Sequence, residues 1–278
     1  MGGPQVLLAA LWVLGAARAA ALRVGAFNIQ SFGDSKVSDP DCGDIIAQIL
    51  AGYDITLVQE VRDPDLSAVV QLMEQINSKS KHEYGFLSSE PLGREQYKEM
   101  YLFVYRKDAV SVLDSYQYSD PEDVFSREPF VVKFSVPGTV AKELILVPLH
   151  AAPHQAVVEI DALYDVYLDV IDKWGTDDML FLGDFNADCS YVRAHDWAGI
   201  RLRSSEIFKW LIPDSADTTV GKSDCAYDRI VVCGAHLRKS LVPHSALVHN
   251  FQEAYGLDQA GALAVSDHYP VEVTLKSH

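Results

Sequence analysis

After residue 21, short apolar runs alternate with longer segments in which apolar positions recur every three or four residues. The runs are rich in Val, Ile, Phe and Tyr, residue types that favour strands. They predict eight strands: Leu22–Phe27, Ile55–Gln59, Met100–Tyr105, Phe130–Phe134, Leu144–Leu149, Met179–Leu182, Arg229–Cys233 and Pro270–Leu275. Helical spacing predicts four helices: Gly43–Ala51, Asp65–Ser78, Ala156–Lys173 and Ser204–Leu211. No linker or repeat interrupts residues 22–278, so we predict one mixed α/β domain there.

The N-terminus has a different pattern. An apolar core, Val6–Leu14, is followed by the small residues of Ala16–Ala21. This order is typical of a secretory signal peptide, and the core is shorter than the roughly 20 apolar residues of a membrane span. We therefore predict a signal peptide at residues 1–21 and a secreted protein, with an intracellular fraction if export is inefficient. A retained anchor or a buried helix is the alternative, and no other segment indicates a membrane partner.

Composition narrows the class of protein. Hydrophobic residues make up 49% of the chain and charged residues 22%, which is typical of a globular protein and excludes a disordered one. There are 23 Lys and Arg against 39 Asp and Glu, so the formal net charge is −16. That charge argues against a protein that holds polyanions through a generally basic surface. An anionic substrate would need bridging cations.

The chain has four cysteines, Cys42, Cys189, Cys225 and Cys233. Their spacing matches neither a CxxC motif nor a structural zinc site. Export favours disulfides, and the sequence allows three complete pairings or one bridge with two free thiols. Cys42 and Cys233 border apolar runs, which is consistent with buried free thiols at both positions.

Acidic, amide and imidazole side chains recur where predicted strands begin or end. They are Gln59, Glu60, His150, Asp184, Asn186, Asp228, Asp267 and His268. One such residue is usually a turn or cap residue, but groups at several strand ends of an α/β fold can converge in one crevice. Five strand ends with this chemistry therefore predict a functional site.

The residue types indicate the reaction. Carboxylate and amide oxygens suit Mg²⁺ or Mn²⁺, and two histidines that can each pair with a carboxylate suit proton transfer at both ends of a displacement. Together they predict hydrolysis of a phosphoester. The chain has no Walker loop, GxSxG elbow or HExxH motif, so it lacks the hallmarks of nucleotide triphosphatases, serine hydrolases and zinc proteases.

These motifs resemble those of the deoxyribonuclease I family, within the endonuclease/exonuclease/phosphatase superfamily. The resemblance covers essentially all of the chain after residue 21. It rests on the segments Phe27–Gly33, Gln59–Glu60, Ser126–Pro129, Gly183–Asn186, Cys225–Ile230 and Ser266–His268. It implies two packed mixed β-sheets flanked by helices, a four-layer α/β/β/α sandwich. It also implies a monomeric, Mg²⁺- or Mn²⁺-dependent endodeoxyribonuclease that cuts DNA with low sequence selectivity.

The resemblance implies a role for each matching residue. His150 with Glu99 would transfer a proton to the leaving oxygen, and His268 with Asp228 would activate water. The metal and phosphate side would comprise Asn28, Glu60, Asp184, Asn186 and Asp267. Contacts to DNA would come from Arg62, Tyr97 and Arg127, two of which would otherwise be interpreted as solvated surface ions.

Structural features follow from the same resemblance. It implies a Cys189–Cys225 disulfide and two structural Ca²⁺ sites. One site would use Asp217, Thr218 and Thr219; the other would use Asp120, Asp123, Glu128 and the backbone oxygen of Phe125. The segment Val220–Ser223 departs from the family's Thr-rich pattern, and simple acidic surface turns are the alternative at both places.

Three residues bear on an actin partner. Phe86, Ser88 and Phe130 stand where the family's actin-binding patch has Tyr, Val and Ala. A polar and a bulky replacement in a packed interface each weaken binding, so tight actin binding is not expected.

Two other functions remain open. One is a phosphodiesterase or phosphatase that acts on lipid headgroups, and the other is a catalytically inactive secreted binding protein.

Overall fold

The computed structural model describes residues 21–278, so the predicted signal peptide lies outside the described residues except for Ala21. Twelve strands are found in this range: β1 Leu22–Phe32, β2 Ile55–Val61, β3 Tyr84–Ser88, β4 Met100–Arg106, β5 Ser111–Gln117, β6 Phe130–Val136, β7 Lys142–Pro148, β8 Met179–Asp184, β9 Lys209–Trp210, β10 Asp228–Cys233, β11 Leu247–Val248 and β12 Val271–Leu275. The helices are α1 Asp34–Ser38, α2 Pro40–Leu50, α3 Ser67–Lys79, α4 Ala156–Trp174, α5 Arg201–Ser204, α6 Ala235–Ser240, α7 Phe251–Ala254 and α8 Gln259–Val265.

The strands form two six-stranded sheets. The first has the order β11-β12-β1-β2-β4-β3 and the second the order β5-β6-β7-β8-β10-β9. Each sheet contains one parallel pair, β1 with β2 and β7 with β8, among antiparallel ones. The sheets are therefore mixed, as the resemblance implies.

Three apolar layers hold the sheets and helices together. In β1, Phe27 and Ile29 face α2 and α3, whereas Val24 and Ala26 face the other sheet. In β8, Leu180 and Leu182 face the first sheet and Phe181 faces α4. A strand buried on both faces needs apolar residues at successive positions, which explains the continuous apolar runs. The predicted four-layer α/β/β/α sandwich is confirmed.

All eight predicted strands and three of the four predicted helices are present. The helix predicted at Ser204–Leu211 is wrong, because α5 ends at Ser204 and Lys209–Trp210 forms β9. The backbone of β9 pairs with Val231 and Val232, and the Trp210 indole donates to the Leu202 carbonyl over 2.9 Å. Tertiary pairing therefore overrides the helical spacing of this segment.

The strands that the sequence pattern missed share one property. They are β3, β5, β9 and β11, the four edge strands of the two sheets. Edge strands face solvent along one side and are short or polar, so they lack the continuous apolar run of a central strand. Ser111–Gln117 in β5, for example, has no fully buried residue.

Gln59 connects the two sheets at the edge where the polar residues gather. Its Nε2 donates to the Leu149 carbonyl over 2.7 Å, and its Oε1 accepts from the Asp184 N–H over 2.8 Å. Gly183 lies beside this bridge with a φ of +130°, and a β-carbon there would collide with the Leu149 oxygen and the Gln59 amide. The bridge holds strand ends from both sheets in register.

The cysteines adopt one of the patterns left open by the sequence. Cys189 and Cys225 form a disulfide with a Cα–Cα distance of 5.9 Å, while Cys42 and Cys233 are free and buried.

Among residues 21–278, no helix is both long and apolar enough to cross a membrane.

Candidate active site

Asp184 lies at the centre of the polar cluster, at the end of β8. Its Oδ2 is 3.5 Å from the Nε2 of His150 and 3.5 Å from the Nε2 of His268. The same oxygen accepts from the amide of Asn28 over 3.0 Å. All four side chains are buried, and they come from both sheets. The tertiary structure thus brings the two predicted histidines to one carboxylate oxygen.

His150 is held by Glu99. The two side chains meet through Nδ1 and Oε2 at 2.8 Å, and the Tyr101 hydroxyl accepts from the His150 backbone N–H over 3.0 Å. Glu99 also lies 3.0 Å from the Nε of Arg127 and 3.5 Å from Arg62. Burial opposes ionisation of this carboxyl, but the hydrogen bond to His150 and the two arginines prevail and lower the pKa of Glu99 to about 2.

His268 is held by Asp228 in a different environment. Its Nδ1 is 2.7 Å from Asp228 Oδ2, which also accepts from the Thr218 hydroxyl over 2.8 Å. Burial raises the pKa of Asp228 to about 6. Burial also disfavours the imidazolium, but the charges of Asp228 and Asp184 outweigh it and raise the pKa of His268 well above its usual range. This pair therefore favours an imidazolium stabilised by carboxylates.

The donor set fits a hard divalent cation. The Oδ1 atoms of Asn28 and Asp267 are buried and have no hydrogen-bond partner within residues 21–278. Buried oxygens without a protein partner are rare, and a bound ion or an ordered water satisfies them. The Asn28 amide donates to Glu60 over 3.1 Å as well as to Asp184, which leaves its carbonyl oxygen free for an ion. Asp184, Asp228 and His268 offer ligand atoms within 4.8 Å of one another.

Asn186 and Asp267 complete the predicted metal and phosphate side. The Asn186 N–H donates to Asp184 Oδ1 over 3.0 Å, and its side-chain amide donates to the Ala151 carbonyl over 2.9 Å. Asp267 accepts from the Gln30 amide over 3.1 Å. All nine residues predicted for catalysis and metal binding therefore belong to one connected cluster or directly flank it.

The predicted DNA contacts form the rim of this cluster. Tyr97 is 75% exposed, and the guanidinium of Arg62 stacks over its ring at 5.6 Å. Arg127 is more buried and anchored, since its backbone oxygen accepts from the Tyr101 hydroxyl over 3.1 Å. The rim thus combines an exposed aromatic ring with two arginines already paired to acids.

The predicted calcium site at residues 120–128 brings its acids together. Asp120, Asp123 and Glu128 offer ligand oxygens within 4.8 Å of one another. Arg94 contacts the same loop, because its Nε is 3.1 Å from Asp123 Oδ1 and its Nη2 is 3.4 Å from the Phe125 carbonyl. A guanidinium therefore already contacts two of the four predicted ligands.

The predicted calcium site at residues 217–219 is a tight turn inside the disulfide-bridged loop. Asp217 Oδ1 accepts from the Thr219 N–H over 2.9 Å and lies 2.7 Å from its hydroxyl. The Thr218 hydroxyl donates to Asp228 and not to Asp217. Asp217 and Thr219 are thus adjacent, whereas Thr218 supports the His268 pair.

The positions predicted to bear on actin divide into two groups. Phe86 and Ser88 are partly buried on the same face of the edge strand β3. Phe130 is only 9% exposed and packs 6.5 Å from Phe103 in the core between the sheets. These positions do not form one exposed apolar patch.

The positioning roles of several residues were not predicted from the sequence. Gln59 was grouped with the strand-end residues and Thr218 with a calcium site, but Gln59 accepts from the Asp184 N–H and Thr218 donates to Asp228. Two further residues were not singled out at all: the Tyr101 hydroxyl accepts from the His150 N–H, and Glu159 accepts from the N–H groups of Ser126 and Ala152. Of these two, only Glu159 leaves a signal in the sequence, because an acid on the buried face of an amphipathic helix needs partners.

The model of the Endonuclease/Exonuclease/phosphatase family matches residues 25–268. The chain belongs to the endonuclease/exonuclease/phosphatase family. Within this family it is 77% identical to deoxyribonuclease-1-like 2 of Homo sapiens over 100% of both chains. It is also 60% identical to deoxyribonuclease-1 of Gallus gallus, over 93% of this chain and 94% of that protein.

Solved structures of the endonuclease/exonuclease/phosphatase family share the fold. A family protein from Leptotrichia buccalis C-1013-b has a TM-score of 0.66 at 14% identity, covering 92% of this chain and 99% of its own. A humanized D. rerio TDP2 has a TM-score of 0.64 at 18% identity, with coverage of 92% and 99%. The resemblance to the deoxyribonuclease I family and the prediction of an enzyme that hydrolyses phosphodiester bonds are confirmed.

Proposed function

We propose that this protein is a secreted, Mg²⁺- or Mn²⁺-dependent endodeoxyribonuclease that hydrolyses DNA with low sequence selectivity. The observation that carries the proposal is the pair of imidazole Nε2 atoms that both lie 3.5 Å from one oxygen of Asp184. Each ring is oriented by a carboxylate on its Nδ1, at 2.8 Å for His150 and 2.7 Å for His268. Two oriented imidazoles around one centre suit a reaction that removes one proton and delivers another.

In this mechanism His268 takes the proton of the attacking water at Nε2, while Asp228 stabilises the imidazolium that forms. His150 delivers a proton from Nε2 to the leaving oxygen, while Glu99 keeps its ring oriented. A divalent cation held by Asn28, Glu60, Asp184 and Asp267 would neutralise charge on the phosphoryl oxygens and offset the acids that raise the pKa of His268. Asn186 lies beside Asp184, where its side chain can orient the phosphate.

DNA is favoured as the substrate by the rim and by the named relatives. Arg62 and Arg127 can contact phosphates or enter the minor groove, and the exposed ring of Tyr97 can pack on a sugar or base. Because these contacts read no base pattern, low sequence selectivity follows. Their charges are largely offset by Glu60 and Glu99, so binding should be brief and depend on divalent cations.

One experiment tests the proposed activity against the alternatives. Purified protein is incubated with supercoiled plasmid or with sphingomyelin vesicles, in Mg²⁺ or in EDTA. We expect nicking only with plasmid and Mg²⁺, and a loss of at least about 10²-fold in His150→Ala and His268→Ala. Cleavage of sphingomyelin would favour the lipid-headgroup enzyme, and no cleavage of either would favour the inactive binding protein.

We propose the remaining features on separate support. Secretion is supported by the apolar N-terminus and by the Cys189–Cys225 bridge, which persists in oxidising compartments. N-terminal sequencing of protein from culture medium should find a start close to Leu22.

Structural Ca²⁺, a monomer and weak actin binding are proposed too. Calcium titration of the thermal midpoint, light scattering and G-actin competition test these three features, and nanomolar actin inhibition would contradict the last.

A further inference from the structure

A basic groove lies on the side of the molecule away from the active site. Its volume is about 580 Å³, and it opens between β9, α6, the loop before β11 and the end of β12. Its charged lining residues are Lys209, Arg238, Lys239 and Lys276; His244 also lines it, and no lining residue carries a carboxylate. In a chain of net charge −16, four cations around one groove are an exception.

These cations are also unpaired. None of the four forms an ion pair with a carboxylate among residues 21–278, whereas Arg62 and Arg127 at the active site both do. Arg238 donates to the Glu206 and Ile207 carbonyls, and its Nε is buried without a partner among the described residues. Backbone carbonyls hold such side chains in place but leave their charge uncompensated, so an anion entering the groove meets no resident acid.

The groove and the active site lie at opposite ends of the same strands. β10 begins at Asp228 in the catalytic cluster and ends at Cys233, just before α6. β12 follows His268 and ends at Leu275, next to Lys276. Six residues of strand span about 20 Å, so a DNA segment lying across the catalytic end does not reach the groove.

We propose that this groove binds the backbone of a second DNA segment, separate from the segment that is cut. The inference rests on the proposed function. Four unpaired cations release counterions when they meet phosphates, whereas the arginines of the active site are already neutralised. Binding a second segment makes the next capture at the active site intramolecular and raises the local concentration of DNA.

The proposal makes a length-dependent prediction. Duplex DNA is stiff over about 150 base pairs, so one molecule reaches both sites only if it is much longer than that. A duplex of 20 base pairs can occupy one site at a time. The groove should therefore lower the KM for kilobase DNA and leave the KM for short duplexes unchanged.

The test compares two triple variants with the same loss of charge. Lys209→Gln/Lys239→Gln/Lys276→Gln removes three groove cations. Lys81→Gln/Lys142→Gln/Lys173→Gln removes three exposed lysines elsewhere. We expect the groove variant to raise the KM for kilobase DNA about fivefold with unchanged kcat, and the control variant to match the wild type. Thermal midpoints check that both variants fold.

A binding measurement in the inactive His268→Ala background gives an independent readout. The salt dependence of binding to kilobase DNA in Mg²⁺ should lose about two to three units of log–log slope in the groove variant. Equal effects of the two triple variants, an equal loss on 20-base-pair duplexes, or groove-dependent binding to anionic lipid vesicles but not to DNA would each overturn the proposal. Absence of cleavage by the wild type on any DNA would instead overturn the proposed activity.

Discussion

The two histidine–carboxylate pairs are alike in geometry and opposite in electrostatics. In each, Nδ1 meets a carboxylate at less than 3 Å and Nε2 lies 3.5 Å from Asp184. Glu99, in the first pair, has two arginines as neighbours and a pKa of about 2. Asp228, in the second, has a threonine hydroxyl instead, and burial raises its pKa to about 6.

The difference suits the two tasks that we propose for the pairs, proton delivery by His150 and proton removal by His268. The carboxylate beside His150 is ionised because of the hydrogen bond and charge of His150 together with two arginines, so its charge does not depend on the imidazole alone. The carboxylate beside His268 depends on the imidazole itself for its charge. In the proposed mechanism His268 gains a proton, and the buried Asp228 stabilises that gain strongly because water does not screen it.

The comparison predicts its largest effect for the two carboxylates. Asp228→Asn should lower kcat on plasmid DNA by about 10³- to 10⁴-fold, because the new amide neither stabilises the imidazolium nor holds the same tautomer. Glu99→Gln should cost only about 10²-fold, because the Tyr101 hydroxyl still holds the His150 backbone in place. Single-turnover cleavage of plasmid measures both losses. Equal losses, or a larger one for Glu99→Gln, would refute the division of roles.

The second prediction concerns Arg229, which follows Asp228 in β10. Arg229 is fully buried and donates to the carbonyls of Ala226, Ile212 and Ala187 and to Asp214. Arg229→Met should lower the free energy of unfolding by about 3 kcal/mol, because these acceptors lose their donor. Urea unfolding measures the change.

Arg201→Met provides the matched control for that substitution. Arg201 also pairs with aspartates and stacks on an aromatic ring, but its side chain is 43% exposed. Its loss should cost less than about 1 kcal/mol. If the two substitutions lower the free energy of unfolding equally, the burial of Arg229 does not make it more stabilising than an exposed arginine.

The third prediction concerns how the contribution of Glu99 to stability depends on pH. Because Glu99 has a folded pKa of about 2 against 4.5 in the unfolded chain, its stabilisation is complete above pH 4.5 and is lost as the pH falls towards 2. The stability difference between wild type and Glu99→Gln should shrink by about 2 kcal/mol between pH 7 and pH 3. Urea unfolding at both pH values measures it, and a constant difference would contradict the low pKa.

The smallest effect is expected at Thr218, whose hydroxyl donates to Asp228 over 2.8 Å. Thr218→Val keeps the shape of the side chain and removes this hydrogen bond, so kcat should fall about tenfold, equivalent to about 1.4 kcal/mol. Thr218→Ser should restore most of the rate. A shifted pH profile of kcat in Thr218→Val would identify an effect on the pair, whereas an unshifted profile with lower stability would indicate only lost packing.

The sequence predicted those parts of the molecule that depend on short-range pattern. Central strands such as β1 and β8 are buried on both faces, so their apolar runs mark them without knowledge of their neighbours. Motifs such as Gly183–Asn186 identified the family and most of the candidate site. The edge strands escaped prediction because their pairing partners, rather than their composition, make them strands.

The tertiary structure alone decided how the predicted residues are arranged and what supports them. Both histidines lie with Nε2 3.5 Å from the same oxygen of Asp184. Gln59 connects the two sheets, and residues 209–210 form a strand. The tertiary structure also gathered Lys209, Arg238 and Lys276 into one groove from three separate segments of an acidic chain. A chain's pattern encodes which face of an element is buried, but contacts between distant segments exist only once the sheets have packed.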